Sequence, residues 1–430
     1  MASGAPTAPL RQTPWLSKSQ PPEDAAQYAA VVYARHATRH IAEERFYDAH
    51  SGSVRSNRLM GCLNHVWPQN ETLLNKDQIA GIKPAGLFFG RTTAFVSLRG
   101  IGTPMARQFR KLVLWIALAA AVLGLVALLV TPWPSVLVIR AIFDRGAAEA
   151  SAKLEKHVPS GIRVDRNIQY ISSDPDAKMD IIHPPAGTAM GPTIIWVHGG
   201  GFISGRRRDV ENYAMVLAGQ GFAIVNVDYT IAPEARYPKP VQQVIAALSF
   251  VSQEGTRLGI DPTRLILAGD SAGAQIAAQV ANLVTAPDYA RQVGISANIQ
   301  PMQLRGVILF CGPYDLNLMG HGWFMRTTTW AYSGSRNHEN DRSFQLMSVA
   351  KYVTPAFPPA LISAGNGDPL LPHSVALENA LRAHNVTVDT LYFPDHEPAL
   401  GHEYQFDLDA EPGREALRRA AAFARKIGQI

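Results

Sequence analysis

A serine lies at the centre of the pentapeptide Gly269-Asp270-Ser271-Ala272-Gly273. The apolar run RLILAG, typical of a strand, precedes the serine, and the helical sequence AQIAAQVANLV follows it. A sharp strand-to-helix turn presents a serine hydroxyl group, and the two glycines allow the backbone of the turn to pack closely. A chance glycine-rich turn is the alternative interpretation of the motif by itself. With its flanking sequences, the motif predicts that Ser271 is a nucleophile.

A second glycine-rich stretch, HGGGF at residues 198–202, ends an apolar run earlier in the chain. Backbone N–H groups in such a loop can donate to a developing oxyanion because no side chain blocks the approach. We therefore predict an oxyanion hole made by the N–H groups of Gly199, Gly200 and Ala272. A phosphate-binding loop is the alternative, but the glycine spacings that it requires are absent from this stretch.

A serine of this kind needs an acid and a histidine base, which follow it along the chain in that order. Asp368 comes just after the apolar run PALISAG and is the predicted acid. Asp315, after the preceding apolar run, is its rival. His402 is the predicted base because it lies on the stretch that leads to the last amphipathic helix, and His396 is its rival.

Eight apolar, β-rich runs alternate with helical patterns in the second part of the chain. The runs cover residues 167–172, 178–183, 193–198, 222–228, 264–269, 305–311, 359–365 and 388–393. Most are continuous, which is typical of parallel strands that are buried on both faces. Helical patterns lie near 209–219, 239–254, 272–285, 373–384 and 413–428. The predicted fold is α/β, with a mostly parallel eight-stranded sheet and helices on both faces.

One apolar run is much longer than a strand. Residues 112–130 read LVLWIALAAAVLGLVALLV, and this uncharged stretch as a helix spans about 28 Å of a hydrocarbon core of about 30 Å. The run predicts a transmembrane helix, with a buried core helix as the alternative. Arg107, Arg110 and Lys111 precede the run, and no cation follows before Arg140. The positive-inside rule therefore predicts a cytoplasmic N-terminal side and places residues 135–430 outside the cytoplasm.

A cleaved secretory signal is a competing interpretation, because the sequence from Met105 resembles a charged n-region and an apolar h-region. The run is longer than a usual h-region, and no A-x-A-like cleavage site follows it. We expect an uncleaved anchor at 105–134, a connector or short cap at 135–165, and the α/β domain at 166–430. Segment 1–104 carries no motif with a mechanism, and one hypothesis is that Met105 is the native start.

Charge and cysteine content exclude several classes of protein. Residues 1–111 carry 14 Lys and Arg against 7 Asp and Glu, and the remaining residues carry 26 against 28. No folded stretch combines clustered cations with aromatic residues, so nucleic-acid binding is not expected. Cys62 and Cys311 are the only cysteines and form no Cys/His cluster. We expect no disulfide, no metal and no cofactor, and the sequence does not specify an oligomeric state.

Taken together, the motifs resemble those of the hormone-sensitive-lipase-like group of bacterial esterases, which have the α/β-hydrolase fold. The resemblance covers about residues 166–430. It depends on HGGGF at 198–202, DY at 228–229, APE at 232–234, YP at 237–238, GDSAG at 269–273, GDPL at 367–370 and GH at 401–402. It implies that Ser271, Asp368 and His402 form the triad, and that Asp228 and Glu234 order the loops around it. This chain departs from the group in its short stretch before the first strand and in its additional histidine and prolines at 393–403.

The resemblance implies a serine carboxylic-ester hydrolase that works through an acyl-enzyme on Ser271. The expected substrates are short-chain acyl esters, and the sequence leaves open whether the ester is a small molecule or a lipid. An amidase or peptidase with the same triad is the main alternative, because the triad does not encode the leaving group. A non-catalytic scaffold is a third possibility, against which the intact triad and glycine loop argue. Residues 318–343, rich in Met, Trp, Phe and Gly, are predicted to be an insertion over the pocket, or else a surface loop.

Overall fold

The computed structural model describes residues 104–188 and 191–429. The predicted segment 1–104, apart from Pro104, and Cys62 lie outside these residues. The first helix, α1, runs over Pro104–Val130, and from Arg107 to Val130 it is long and apolar enough to cross a membrane. None of its apolar window is buried against the rest of the protein. Thr131 and Pro132 join it to α2, which runs over Trp133–Leu154.

An eight-stranded sheet forms the centre of the globular part. Its strands are β1 (Arg163–Gln169), β2 (Lys178–His183), β3 (Thr193–Val197), β4 (Ala223–Val227), β5 (Leu265–Asp270), β6 (Leu304–Phe310), β7 (Ala360–Ser363) and β8 (Val388–Leu391). Their order is β1-β2-β4-β3-β5-β6-β7-β8. β2 is antiparallel to both of its neighbours, β1 and β4. The other six strands, β3 to β8, are parallel to one another.

Helices cover both faces of this sheet. They are α3 (Glu211–Ala218), α4 (Lys239–Glu254), α5 (Ser271–Thr285), α6 (Pro287–Val293), α7 (Trp323–Ser333), α8 (Arg342–Gln345), α9 (Leu371–Ala383) and α10 (Glu411–Ile427). Short 3₁₀ helices lie at Glu155–His157, Arg207–Val210, Pro301–Gln303, Leu316–Leu318, His338–Asn340, Val349–Lys351 and Tyr404–Phe406. The predicted fold class is therefore confirmed.

Each buried strand contributes side chains alternately to two cores, because successive side chains of a strand point to opposite faces. In β3, Ile195 and Val197 pack into the core that contains α4 and α5, whereas Ile194 and Trp196 pack into the core that contains α3 and α10. All four side chains are fully buried. This double burial explains why the runs in the sequence are continuous rather than alternating.

Two regions differ from the sequence-based expectation. The first strand lies at Arg163–Gln169 instead of 167–172, because it is a half-exposed edge strand whose polar residues give no apolar run. The stretch at 135–165, expected to be a connector or short cap, is mostly the helix α2, which packs Val136 and Ile139 into the core. Its first turns are apolar on every side, so the sequence shows no helical period there.

The sheet and its last helix pack closely at Gly306. A Cβ atom at this position would clash with Cδ1 of Ile427 and would lie 3.0 Å from the carbonyl oxygen of Pro359. We predict that Gly306→Ala lowers the free energy of unfolding by about 1–3 kcal/mol. Ile427→Val removes the clashing methyl group and costs about 0.5–1.5 kcal/mol by itself.

The double variant should lose less than the sum of the single losses, which a double-mutant cycle of denaturant unfolding would detect. Strict additivity of the two losses would contradict the contact.

Candidate active site

The turn that carries Ser271 lies between β5 and α5, at the carboxyl edge of the sheet. Ser271 has a φ of 50°, a left-handed conformation that costs a residue with a side chain about 1–3 kcal/mol. The turn is tight because a Cβ atom on Gly269 would lie 2.7 Å from the carbonyl oxygen of Val197, and one on Gly273 would clash with the same oxygen. The two glycines therefore bring the serine against the end of β3.

Ser271, His402 and Asp368 form a hydrogen-bonded chain. Nε2 of His402 lies 2.9 Å from Oγ of Ser271, and Nδ1 lies 2.9 Å from Oδ2 of Asp368. The side chain of Asp368 is fully buried, and its other oxygen accepts a hydrogen bond from the N–H of Leu370 at 2.8 Å. The carboxylate fixes the imidazole so that its second nitrogen faces the serine.

The two rival residues lie elsewhere. The side chain of Asp315 caps a short helix by accepting from the N–H of Asn317 and pairs with Lys351 at 3.2 Å. Nδ1 of His396 lies 2.9 Å from the carbonyl oxygen of Pro398 on the exposed loop after β8. Neither side chain contacts Ser271.

The glycine loop at 198–202 differs in one respect from the expectation. The N–H of Gly199 donates to Oδ2 of Asp270 at 2.8 Å, so it is already used by a buried carboxyl group. Gly200, with a φ of 109°, and Gly201, with a φ of 61°, adopt conformations that favour glycine. No acceptor for their N–H groups occurs among the residues described here. The N–H group of Gly199, which the sequence predicted to be an oxyanion donor, is thus already hydrogen-bonded to Asp270.

A pair of carboxyl groups lies beside the triad, and the sequence analysis missed it. Asp270 accepts hydrogen bonds from Nε1 of Trp196 and from the N–H of Gly199, both at 2.8 Å. Burial, and then the neighbouring carboxylate of Glu403, raise the pKa of Asp270 well above its ordinary value. The Oε1 atom of Glu403 lies 3.8 Å from Nε2 of His402. A protonated Asp270 can stay beside this second carboxyl group because it adds no second negative charge.

His198, the first residue of the glycine loop, is held by contacts with Tyr229 and Gly199. Its ring stacks on Tyr229 with 4.3 Å between centroids, and its Nδ1 lies 2.8 Å from the carbonyl oxygen of Gly199. Burial lowers the pKa of His198 to about 4, so this imidazole is neutral at physiological pH. Asp228 binds the N–H of Arg207 at 2.6 Å and pairs with its guanidinium group. Asp228 is thereby joined to the segment that follows the glycine loop.

Cys311 is a buried thiol in contact with the triad. Its Sγ lies with ligand atoms of Asp368 and His402 in a group whose members are within 4.8 Å of one another, a spacing that could hold a metal ion. Burial raises the pKa of Cys311 to about 11, so the thiol is protonated at neutral pH. Because His402 and Asp368 are engaged in the triad, a metal here would disrupt that chain of hydrogen bonds.

A cavity of about 620 Å³ opens above Ser271 and His402. One wall comes from α2, with Ile142, Phe143, Ala147, Ala150 and Leu154. The opposite wall comes from the first part of the segment at 318–343, with Leu318, Met319, Phe324, Met325 and Thr328. This segment therefore lines the cavity, and α2 covers it. The lining is mostly apolar around a few polar groups, as in many small-molecule sites.

A protein-family model described as BD-FAE matches residues 179–381, just under half of the chain. Solved structures with the same fold include several esterases. Esterase B from Lactobacillus rhamnosis, solved with a C4-C4 tributyrin phosphonate inhibitor, is 23% identical with a TM-score of 0.59, covering 69% of this chain and 96% of that one.

The esterase of the archaeon Pyrobaculum calidifontis is 21% identical with a TM-score of 0.55, covering 68% of this chain and 93% of that one. A bacterial heroin esterase is 24% identical with a TM-score of 0.55, covering 69% and 93% of the two chains. These similarities confirm the predicted α/β-hydrolase fold and the predicted resemblance to esterases.

The surroundings of His402 predict how it titrates. Burial lowers the pKa of His402, but the hydrogen bond to Asp368 favours the imidazolium and raises the pKa above its ordinary value of 6.5. Asp368→Asn removes a negative partner of the imidazolium and should lower this pKa. Imidazole NMR signals followed against pH would measure both values.

His198 is the internal control, because it should stay neutral down to a pH of about 4 in both proteins. A His402 that titrates at or below 6.5, or that does not respond to Asp368→Asn, would contradict the assigned contacts.

Proposed function

We propose that this chain, an α/β-hydrolase by fold, is a serine carboxylic-ester hydrolase with Ser271 as nucleophile. The observation that carries the proposal is the chain of hydrogen bonds from Ser271 through His402 to Asp368, with 2.9 Å at each step, at the base of the apolar cavity. The nucleophile, base and orienting acid thus have the mutual geometry that acyl transfer requires.

In the first half of the reaction, Oγ of Ser271 attacks the ester carbonyl carbon while Nε2 of His402 takes the hydroxyl proton. The tetrahedral intermediate collapses when the carbon–alkoxide bond breaks, and the imidazolium gives its proton to the leaving alcohol. In the second half, water loses a proton to His402 and attacks the acyl-enzyme. The acid leaves, and the proton returns to Ser271. Asp368 stabilises the imidazolium in both halves.

Backbone N–H groups stabilise the negative oxygen of the two intermediates. We assign this role to Gly200, Gly201 and Ala272. Ala272 belongs to the first turn of α5, whose N–H groups have no partner within the helix. The bond between Gly199 and Asp270 holds the loop in the conformation that presents the next two N–H groups. Fixed donors of this kind typically contribute about 10²–10³ in rate each.

Short acyl groups are the proposed acyl class. Esterase B, which shares the fold, was solved with a phosphonate that carries four-carbon chains. The cavity in this chain has room for such an acyl group beside an alcohol of larger size.

We also propose that α1 anchors the enzyme in a membrane, with its N-terminal side in the cytoplasm and the hydrolase domain at 135–430 outside it. The length and apolar surface of α1 and the cations before it support this arrangement.

Activity tests the catalytic assignment. The full chain should hydrolyse p-nitrophenyl esters, acetate and butyrate faster than palmitate, and a fluorophosphonate probe should label it. Ser271→Ala should abolish labelling and lower kcat by about 10⁶. His402→Ala should lower kcat to a similar extent, because the two residues act as a unit.

His396→Ala is the matched control, and its activity should stay within about twofold of the wild type, since this side chain does not reach the serine. Labelling without ester turnover would favour an amidase, and loss of activity in His396→Ala but not in His402→Ala would refute the triad.

Cysteine accessibility tests the orientation. In a Cys62→Ser background, Met302→Cys should react with an impermeant maleimide in right-side-out membrane vesicles, because Met302 is 74% exposed on the hydrolase domain. Gln108→Cys, near the N-terminal end of α1 and before its uncharged run at 112–130, should react only in inverted vesicles. Cys311 is buried and should contribute little background. The reverse pattern would overturn the orientation, and release of the domain into the soluble fraction would indicate a cleaved signal.

A further inference from the structure

The exposed large apolar side chains of the globular part are unevenly distributed. In the part of the chain described from Trp133 onwards, seven such side chains are exposed, and all but Met302 lie on α2 or in the segment 318–343, the two stretches that form the cavity walls. We call the other six the apolar rim: Trp133, Leu137, Val138, Ile142, Leu318 and Trp323, which are between 38% and 61% exposed. Single exposed apolar residues are ordinary on a protein surface, whereas a patch of this kind indicates a binding surface.

The helix α2 is packed on one face, so its rim residues point away from the protein. Val136 and Ile139 on its inner face are buried, while Leu137 and Val138 on its outer face are more than half exposed. Arg140 is the only charged residue among the first eleven of this helix, and its guanidinium group is turned inward. It donates to the carbonyl oxygens of Ile203 and Ala232 at 2.5 and 2.9 Å and pairs with Glu234 at 2.5 Å. The outer face therefore carries no charge for two and a half turns.

The rim continues directly into the cavity. Ile142 and Leu318 belong both to the rim and to the cavity lining. The rings of Phe143 on α2 and Phe324 on α7 lie 5.5 Å apart and join the two walls. A ligand that enters past the rim thus meets apolar surface from the outside of the protein to the region of Ser271.

The end of α1 lies at the same edge of the molecule. Nη2 of Arg336 donates to the carbonyl oxygen of Leu128 at 2.9 Å, and its guanidinium group lies 4.0 Å from the ring centroid of Trp330. Leu128, Trp330, Arg336 and the rim residue Trp323 line one cleft of about 950 Å³. Tryptophan and arginine side chains are typical of the membrane–water interface. The C-terminal end of the apolar helix and the cavity mouth therefore share one surface.

We propose that the apolar rim lies in the surface of the lipid bilayer that α1 crosses, and that the cavity takes its ester substrate directly from the lipid phase. The substrate class is a membrane-partitioned ester: a short acyl group on an alcohol with a long apolar chain. This inference rests on the proposed esterase function and adds the physical state of the substrate.

Two butyrate esters distinguish esterase activity itself from the uptake of substrate out of lipid. Both form the same butyryl-enzyme on Ser271, so they differ only in how the ester reaches the site. p-Nitrophenyl butyrate is soluble in water, and hexadecyl butyrate is held in phosphatidylcholine vesicles that also contain the full chain. Released butyric acid is measured for both in a pH-stat. Leu137→Gln/Val138→Gln and Trp323→Gln alter the rim without touching the cavity lining, and Met302→Gln is the matched control on the far side of the domain.

The wild type should hydrolyse both esters. The rim variants should lower kcat/KM for the vesicle-held ester about tenfold or more, since buried apolar area determines how strongly an apolar side chain enters the lipid surface. Their kcat/KM for the soluble ester should stay within about twofold, and Met302→Gln should leave both values unchanged. Equal losses for both esters, or none in the rim variants, would overturn the inference.

Two further outcomes would also overturn it. If the wild type hydrolyses only the soluble ester, the inference fails while the proposed function stands; if it hydrolyses neither, both fail. If the rim instead joins two copies of the chain, the rim variants will change the oligomeric state in detergent solution and leave the ratio of the two rates unchanged.

Discussion

The close approach of two strand ends determines the rest of this site. Val197 ends β3 and is paired in register with Gly269 near the end of β5. The turn that carries Ser271 and the glycine loop therefore lie next to each other. Only hydrogen atoms on Gly269 and Gly273 leave room for the carbonyl oxygen of Val197. A side chain there would push Ser271 away from the N–H groups of the loop. Transition-state stabilisation of the proposed kind depends on distances of about 3 Å, so this packing is a condition of catalysis.

Asp368 and Asp270, two buried carboxyl groups near Ser271, differ in their surroundings and therefore in their proposed roles. Asp368 is buried and hydrogen-bonded to the imidazole of His402, so it is placed to stabilise an imidazolium. Asp270, one residue before the nucleophile, is buried beside a second carboxyl group, which favours its neutral form. A neutral Asp270 still accepts from Trp196 and Gly199 but adds little negative charge beside a developing oxyanion. Asp270 can therefore hold the glycine loop in place without repelling the negative charge that develops in the proposed transition state.

Local features made much of the fold and site predictable from the sequence. The nucleophile turn, the glycine loop and the continuous apolar strands depend on neighbouring residues. The contact between Asp270 and Gly199 joins residues far apart in sequence, so nothing near Gly199 indicated that its N–H was already used. Glu403 was missed for the same reason, because its partner Asp270 is 133 positions away. The helix α2 was missed because it exposes apolar residues that a helix of a soluble domain would replace with polar ones.

The exposed apolar residues of α2, which obscured its helical pattern in the sequence, also give the helix its proposed role. A helix that covers a cavity in water normally needs a polar outer face, and a helix buried in a core has no outer face at all. The first turns of α2 fit neither case, since Val136 and Ile139 are buried while Leu137 and Val138 on the opposite face are exposed. Lipid is the environment in which both faces are stable at once. With only Thr131 and Pro132 between α1 and α2, the chain has little freedom to carry the rim away from the bilayer that α1 is proposed to cross.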